Sequence, residues 1–175
     1  MKKLKLDELN RKTVAEFKAV KKIPLVILLE NIRSALNVGS VFRSADAFPV
    51  EKIILCGITA QPPHKDILKS ALGATESVVW EYFLSATDAI NNLKQNNYSV
   101  YAIEQTDSSV LLNNFSPSDK KAAIIFGNEV DGVSNDVLQL VDGSIELAQY
   151  GTKHSLNISV CAGIVLYDLY QKMSK

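Results

Sequence analysis

The chain has 175 residues, 47% hydrophobic and 22% charged, with nineteen Lys/Arg balanced by nineteen Asp/Glu. That is the size and make-up of one globular domain, and it excludes a disordered or low-complexity chain. No apolar run is long enough to span a bilayer, and the lysine-rich start lacks the apolar core of a secretory signal, so a cytoplasmic protein without membrane contact is expected.

The zero net charge hides an asymmetry, because residues 1–22 carry eight Lys/Arg against three Asp/Glu, an excess of +5. Within them Leu6, Leu9, Thr13, Phe17 and Val20 recur at three- and four-residue steps, the spacing of one basic amphipathic helix, which Pro24 closes. Such an arm reads equally as a solubilising face or as a nucleic-acid contact, and it is expected to belong to one unit with the main domain, 23–175. Short β-branched runs at 25–29, 52–56, 78–82, 99–103 and 122–126 then predict buried strands. Helical patterns fall at 39–47, 67–72 and 86–95. A last strand near 144–147 precedes a helix from about 155 to 173.

This alternation predicts an α/β fold, a mainly parallel sheet with helices on both faces. No linker or repeat divides it. Ligands of open α/β sheets bind beyond the carboxyl ends of the strands, which is where three polar, glycine-containing segments fall. They are Asn37-Val-Gly39-Ser-Val-Phe-Arg43, Gly127-Asn-Glu129-Val-Asp-Gly132-Val-Ser134 and Gly151-Thr-Lys-His-Ser155-Leu156-Asn157-Ile-Ser159. Their glycines allow close backbone approach, and their Asn, Arg, Glu and Ser side chains can orient a ligand.

Several chemistries find no support. Neither a dinucleotide Gly-x-Gly-x-x-Gly turn nor a P-loop occurs, and no nucleophile elbow accompanies Ser155. Cys56 and Cys161 sit in apolar runs without zinc-spaced partners and read as reduced core residues, while His64 and His154 are too separated for a metal site, so no metal is expected. Taken singly, Arg43 is compatible with a surface ion pair, Asn37 with a helix N-cap, Glu129 and Asp131 with a solvated turn, and Ser155 and Asn157 with caps of the last helix.

In this order the three segments resemble the signature motifs of the SpoU/TrmH-like RNA ribose methyltransferases, a resemblance running from about Leu25 to Tyr170. It implies a SPOUT-type fold with a C-terminal trefoil knot, S-adenosylmethionine as cofactor, RNA as substrate with tRNA favoured over rRNA, and a homodimer with shared sites. By the same resemblance Arg43, Asn37, Glu129, Ser155 and Asn157 are the catalytic candidates. Ile103, Gly127, Leu147, Ser155 and Leu156 are those for the cofactor. The chain departs from the family at Leu147-Ala148-Gln149, where Ile-Pro-Met is usual, so no proline fixes φ there and cofactor affinity is the quantity affected.

The family's motif-one arginine is the proposed base for the ribose 2′-OH, yet a guanidinium is always protonated and carries no acceptor. The expectation for Arg43 is therefore a clamp on the 3′ phosphate and on developing alkoxide charge, the proton leaving through a transient neutral guanidine or water. Lys153 and His154 are read either as contacts to phosphate or the methionine carboxylate, or as plain loop residues. The stretch 61–65 and the helix after it are read as a substrate-facing surface, and Trp80 and Tyr82 as core aromatics. Two other readings stand beside this one: a non-catalytic RNA-binding or ribosome-assembly protein of the same fold, and a base methyltransferase, which the Asn/Arg first motif disfavours.

Overall fold

The computed structural model of the chain describes residues 1–117 and 121–174. Its centre is a seven-stranded sheet of β1 (Ile23–Glu30), β2 (Val50–Cys56), β3 (Trp80–Phe83), β4 (Ser99–Ile103), β5 (Val110–Leu111), β6 (Ala122–Phe126) and β7 (Gly143–Glu146). The spatial order is β3-β2-β1-β6-β4-β7-β5, and every neighbouring pair is parallel. The mainly parallel α/β architecture expected from the alternation of runs is present.

Successive side chains of a strand point to opposite faces, so a central parallel strand must be apolar throughout. In β1, Leu25, Ile27 and Leu29 join the core that includes residues of α2 (Ala35–Ala47) and α7 (Ile158–Met173). Val26 and Leu28 join the opposite core with Ala89, Ile90 and Leu93 of α5 (Ala86–Gln95). Trp80 and Tyr82 pack on the first core as partly buried side chains, and the Tyr82 hydroxyl donates to the Gly57 carbonyl at 3.0 Å.

Helix α2 begins four residues before its predicted start because Ser34 caps it, its Oγ accepting from the Asn37 N–H at 3.3 Å. Asn37 therefore lies in the first turn and is not the cap. Two residues on, Gly39 meets α3 (Lys65–Ala71): a β-carbon at 39 would stand 2.1 Å from Ser70 Oγ and 2.3 Å from the Ile67 carbonyl oxygen. Gly39→Ala is expected to cost about 1–3 kcal/mol through this overpacking, read as a lower urea midpoint at unchanged m-value.

One expectation needs correction. The single amphipathic helix over 6–20 is broken: a 3-10 turn at Leu6–Leu9 ends in Asn10 at φ 47°, and α1 (Val14–Ala19) starts afresh from a Thr13 cap. Among the described side chains of that stripe Phe17 alone is buried, Val20 is half-buried, and Leu9 and Thr13 are exposed; the Leu6 side chain lies outside the described ones. The arm also enters β1 at its amino end, so its folded part sits roughly 26 Å, the length of eight strand residues, from the carboxyl end where the motifs gather. In α7, Ile158, Val165 and Leu169 are buried and Cys161 half-buried, whereas Ile164 is exposed with Val160 and Tyr167 on another face.

Candidate active site

The segments after β4, β6 and β7 and the start of α7 enclose one cleft of about 700 Å³ at the carboxyl ends of the strands. Ile103, Gly127, Glu129, Leu147, Ser155, Leu156 and Asn157 all line it. Asn37 reaches its edge through hydrogen bonds. Arg43 does not: it lies on α2 about 9 Å further along the axis than Asn37, exposed, with no ion pair or hydrogen bond among the described residues.

The loop of the second motif is held at nearly every residue. Asn128 and Gly132 exchange backbone hydrogen bonds of 2.9 Å. The Asn128 side chain accepts from the Val130 N–H at 2.8 Å and donates to the Asn31 carbonyl at 2.8 Å. Two carboxylates that the sequence reading did not single out grip the far end. Glu30, buried at the end of β1, accepts from Ser134 N–H and Oγ at 3.1 and 2.5 Å, and Glu104 accepts from the Val133 N–H at 3.0 Å. The signal that could have found them is an acidic residue closing a buried apolar strand, since such a charge needs a stated partner.

Gly127 has a different reason from the one its motif suggests. A β-carbon there would lie 2.2 Å from the Gly132 carbonyl carbon and the Val133 nitrogen, so the space beside Gly127 is filled by its own loop.

Glu129 ties the motifs together. One oxygen accepts from the Arg33 N–H at 2.9 Å, the other from the Ser34 N–H at 3.1 Å and from Asn37 Nδ2 at 3.0 Å. The carboxylate thus sits on the amino end of α2, where free N–H groups and the helix dipole favour negative charge. Asn37 Oδ1 accepts in turn from Asn157 Nδ2 at 3.2 Å, and Asn157 caps α7 by accepting from the Ser159 and Val160 N–H groups at 2.9 and 3.4 Å. The cap expected as an alternative role for Asn157 is therefore real and coexists with its contact to the first motif.

Burial pushes the Glu129 carboxyl up, but the hydrogen bonds from Arg33, Asn37, its own backbone and Ser34 outweigh it and hold the group below the usual glutamate range. A lowered value means that its contribution is present above the unfolded glutamate pKa and is lost as pH falls through the folded one. A carbon-detected titration is expected to place the Glu129 midpoint below that of an unstructured glutamate, with Asn37→Ala moving it upward.

Ser155 is exposed and caps no helix; Lys153 is exposed, as is His154, which lines the cleft. The two thiols are poor nucleophiles: burial, then the charges of Glu30 and Glu81, pushes Cys56 up to about 12, and burial, then Glu104, pushes Cys161 up to about 11. Among the described residues no group of three or more His, Cys, Asp or Glu is arranged to hold a metal, and no helix is long and apolar enough to cross a membrane.

These features define a class: a parallel α/β domain with a loop-built cleft beyond its strand ends, in which a carboxylate and two amides bind three distant segments together. The model of the SpoU rRNA Methylase family matches residues 24–167, and the chain belongs to that family. It is 29% identical over 151 residues to a tRNA (guanosine(18)-2'-O)-methyltransferase of Borreliella burgdorferi, covering 86% of this chain and 68% of the relative. It is 26% identical over 149 residues to an uncharacterized tRNA/rRNA methyltransferase of the same organism, covering 85% and 64%. The fold matches the AdoMet-bound rRNA methyltransferase of Sinorhizobium meliloti with a TM-score of 0.80 at 22% identity, over 89% of this chain and 59% of that one. The chain spans 63% to 68% of the length of the first three curated relatives it matches.

Proposed function

We propose that this protein is a cytoplasmic S-adenosylmethionine-dependent methyltransferase acting on an RNA ribose 2′-OH, with tRNA favoured over rRNA. The observation that carries the reading is the convergence of the three motifs on one cleft through Asn37, Glu129 and Asn157. Retention of Arg43, Glu129, Ser155 and Asn157 together argues against the non-catalytic alternative.

The cleft fits the cofactor. It has the volume for a nucleoside-sized ligand, its walls offer apolar Ile103, Leu147 and Leu156 beside backbone groups of three loops, and its charged lining is acidic, matching a cation. Bound there, the cofactor supplies an electrophilic methyl on sulfur. The chain supplies the rest: Asn37 and Asn157 fix the start of α2 and α7 against each other, and Glu129, kept ionised and engaged by four donors, is a positioning group rather than a proton acceptor. Arg43, with no partner of its own among the described residues, is free to hold a phosphate and stabilise alkoxide charge.

Two further features complete the reading. We take the active unit to be a homodimer, supported by an apolar groove of about 720 Å³ between α7 and the 147–156 segment, where Tyr150, Leu156, Val160, Ile164 and Tyr167 are exposed. We also take the C-terminal part to be knotted, supported by the return of the chain after β7 across the sheet, so that α7 packs on α2 and β1. The RNA contact falls to the cleft end, where α3 lies against the start of α2, more than to the basic arm.

The test is to incubate the protein with tRNA, rRNA and labelled S-adenosylmethionine, digest the RNA to nucleosides and weigh them. A 2′-O-methylnucleoside is the expected product. A base-methylated nucleoside, or no transfer with undetectable cofactor binding at millimolar concentration, overturns the proposal.

A further inference from the structure

Glu104 directly follows β4 and lines the cleft, and none of the motifs accounts for it. The acidic groups of the cleft are Glu104, Glu129, Asp131 and Glu146, and His154 also lines it; no lysine or arginine among the described residues does. Glu129 is committed to the start of α2, Glu146 accepts from Ser109 Oγ at 2.8 Å, and Asp131 is on the exposed turn. Glu104 is left as a half-buried carboxylate in the cleft wall.

Its position is fixed without being neutralised. One oxygen accepts from the Gln105 N–H and the other from the Val133 N–H, both at 3.0 Å, and no cation is paired with it among the described residues. Gly132 makes room for it, since a β-carbon at 132 would stand 2.3 Å from Glu104 Oε2. The charge is felt inside the cleft: after burial, it is what raises the Cys161 thiol. Backbone donors of this kind orient a carboxylate without placing a cation beside it, so its field stays available to a ligand.

Resting on the methyltransferase reading, we propose that Glu104 sets the cleft's preference for the sulfonium cofactor over its demethylated product. S-adenosylmethionine and S-adenosylhomocysteine share adenosine and amino-acid parts and differ by one methyl and one positive charge at sulfur. Methyl loss to the ribose oxygen leaves a neutral thioether. A fixed negative charge in a partly desolvated cleft attracts the first and is indifferent to the second at that atom, so the same group that favours loading favours product exchange.

Isothermal titration of both compounds tests this on the wild-type protein, Glu104→Gln and Glu104→Asp. The ratio of the two affinities is expected to shift about five- to tenfold toward the product in Glu104→Gln, and to return in Glu104→Asp. On the unmodified protein, sinefungin, which carries a charged amine in place of the sulfonium, is expected to bind tighter than S-adenosylhomocysteine. An unchanged ratio, equal weakening of both compounds, or weaker sinefungin binding overturns the role of Glu104 while leaving the methyltransferase reading intact. If the wild-type protein binds none of the three, both fall together.

Discussion

Arg43→Lys is expected to lower kcat for RNA methylation at least about a hundredfold while leaving the melting temperature and S-adenosylmethionine affinity unchanged. Arg43 is exposed, forms no ion pair or hydrogen bond among the described residues, and lies outside the cofactor cleft, so neither folding nor cofactor contacts depend on it. A lysine keeps the charge and loses the planar fork that grips a phosphate through two parallel bonds. Single-turnover kinetics with saturating RNA separates the outcomes. Full activity would show that charge alone suffices, whereas a loss confined to KM would make Arg43 a binding residue without a share in the transition state.

Gly127→Ala is the second large effect. Its new methyl group would meet the backbone of Gly132 and Val133 at 2.2 Å, and backbone pinned by Asn128, Glu104 and Glu30 cannot step aside without breaking those bonds. Overpacking of this kind costs about 1–3 kcal/mol, or roughly 3–10 °C in Tm for a domain of this size. Because the displaced loop is also a wall of the cleft, S-adenosylmethionine affinity is expected to fall at least about tenfold. Calorimetry and titration on the same sample check both. Weakened binding at unchanged Tm would return Gly127 to the role its motif suggests, close approach of the ligand.

How far the sequence foretells this molecule depends on what kind of signal each element leaves. Runs such as 25–29 and 122–126 are buried on both faces and read as strands from composition alone. β5 has two residues, and α4 (Ala74–Ser77) and α6 (Asn135–Leu138) have one turn each, too short for any periodicity. The break at Asn10 escapes for the opposite reason: spacing counts positions on a helix face and is blind to a residue that takes the left-handed region between them. For the site, glycines and amides in fixed order locate the loops, because a motif is local. Glu30 and Glu104 have no motif, and what makes them matter is a contact 104 or 29 residues away in the chain. The same holds for Gly127, whose constraint comes from residues that fold back onto it.

The bonds that assemble the cleft join residues 92, 104 and 120 positions apart: Asn37 to Glu129, Glu30 to Ser134, and Asn37 to Asn157. Loops of that length are closed late, after local strands and helices have formed, and parallel pairings are slow for the same entropic reason. On this ground the ligand site is expected to close late in folding, together with the equally distant pairing of β1 with β6 and the docking of α7. Cofactor binding, which requires that closure, would then act as a selective brace on finished molecules, protecting them from unfolding while leaving partly folded ones without its support.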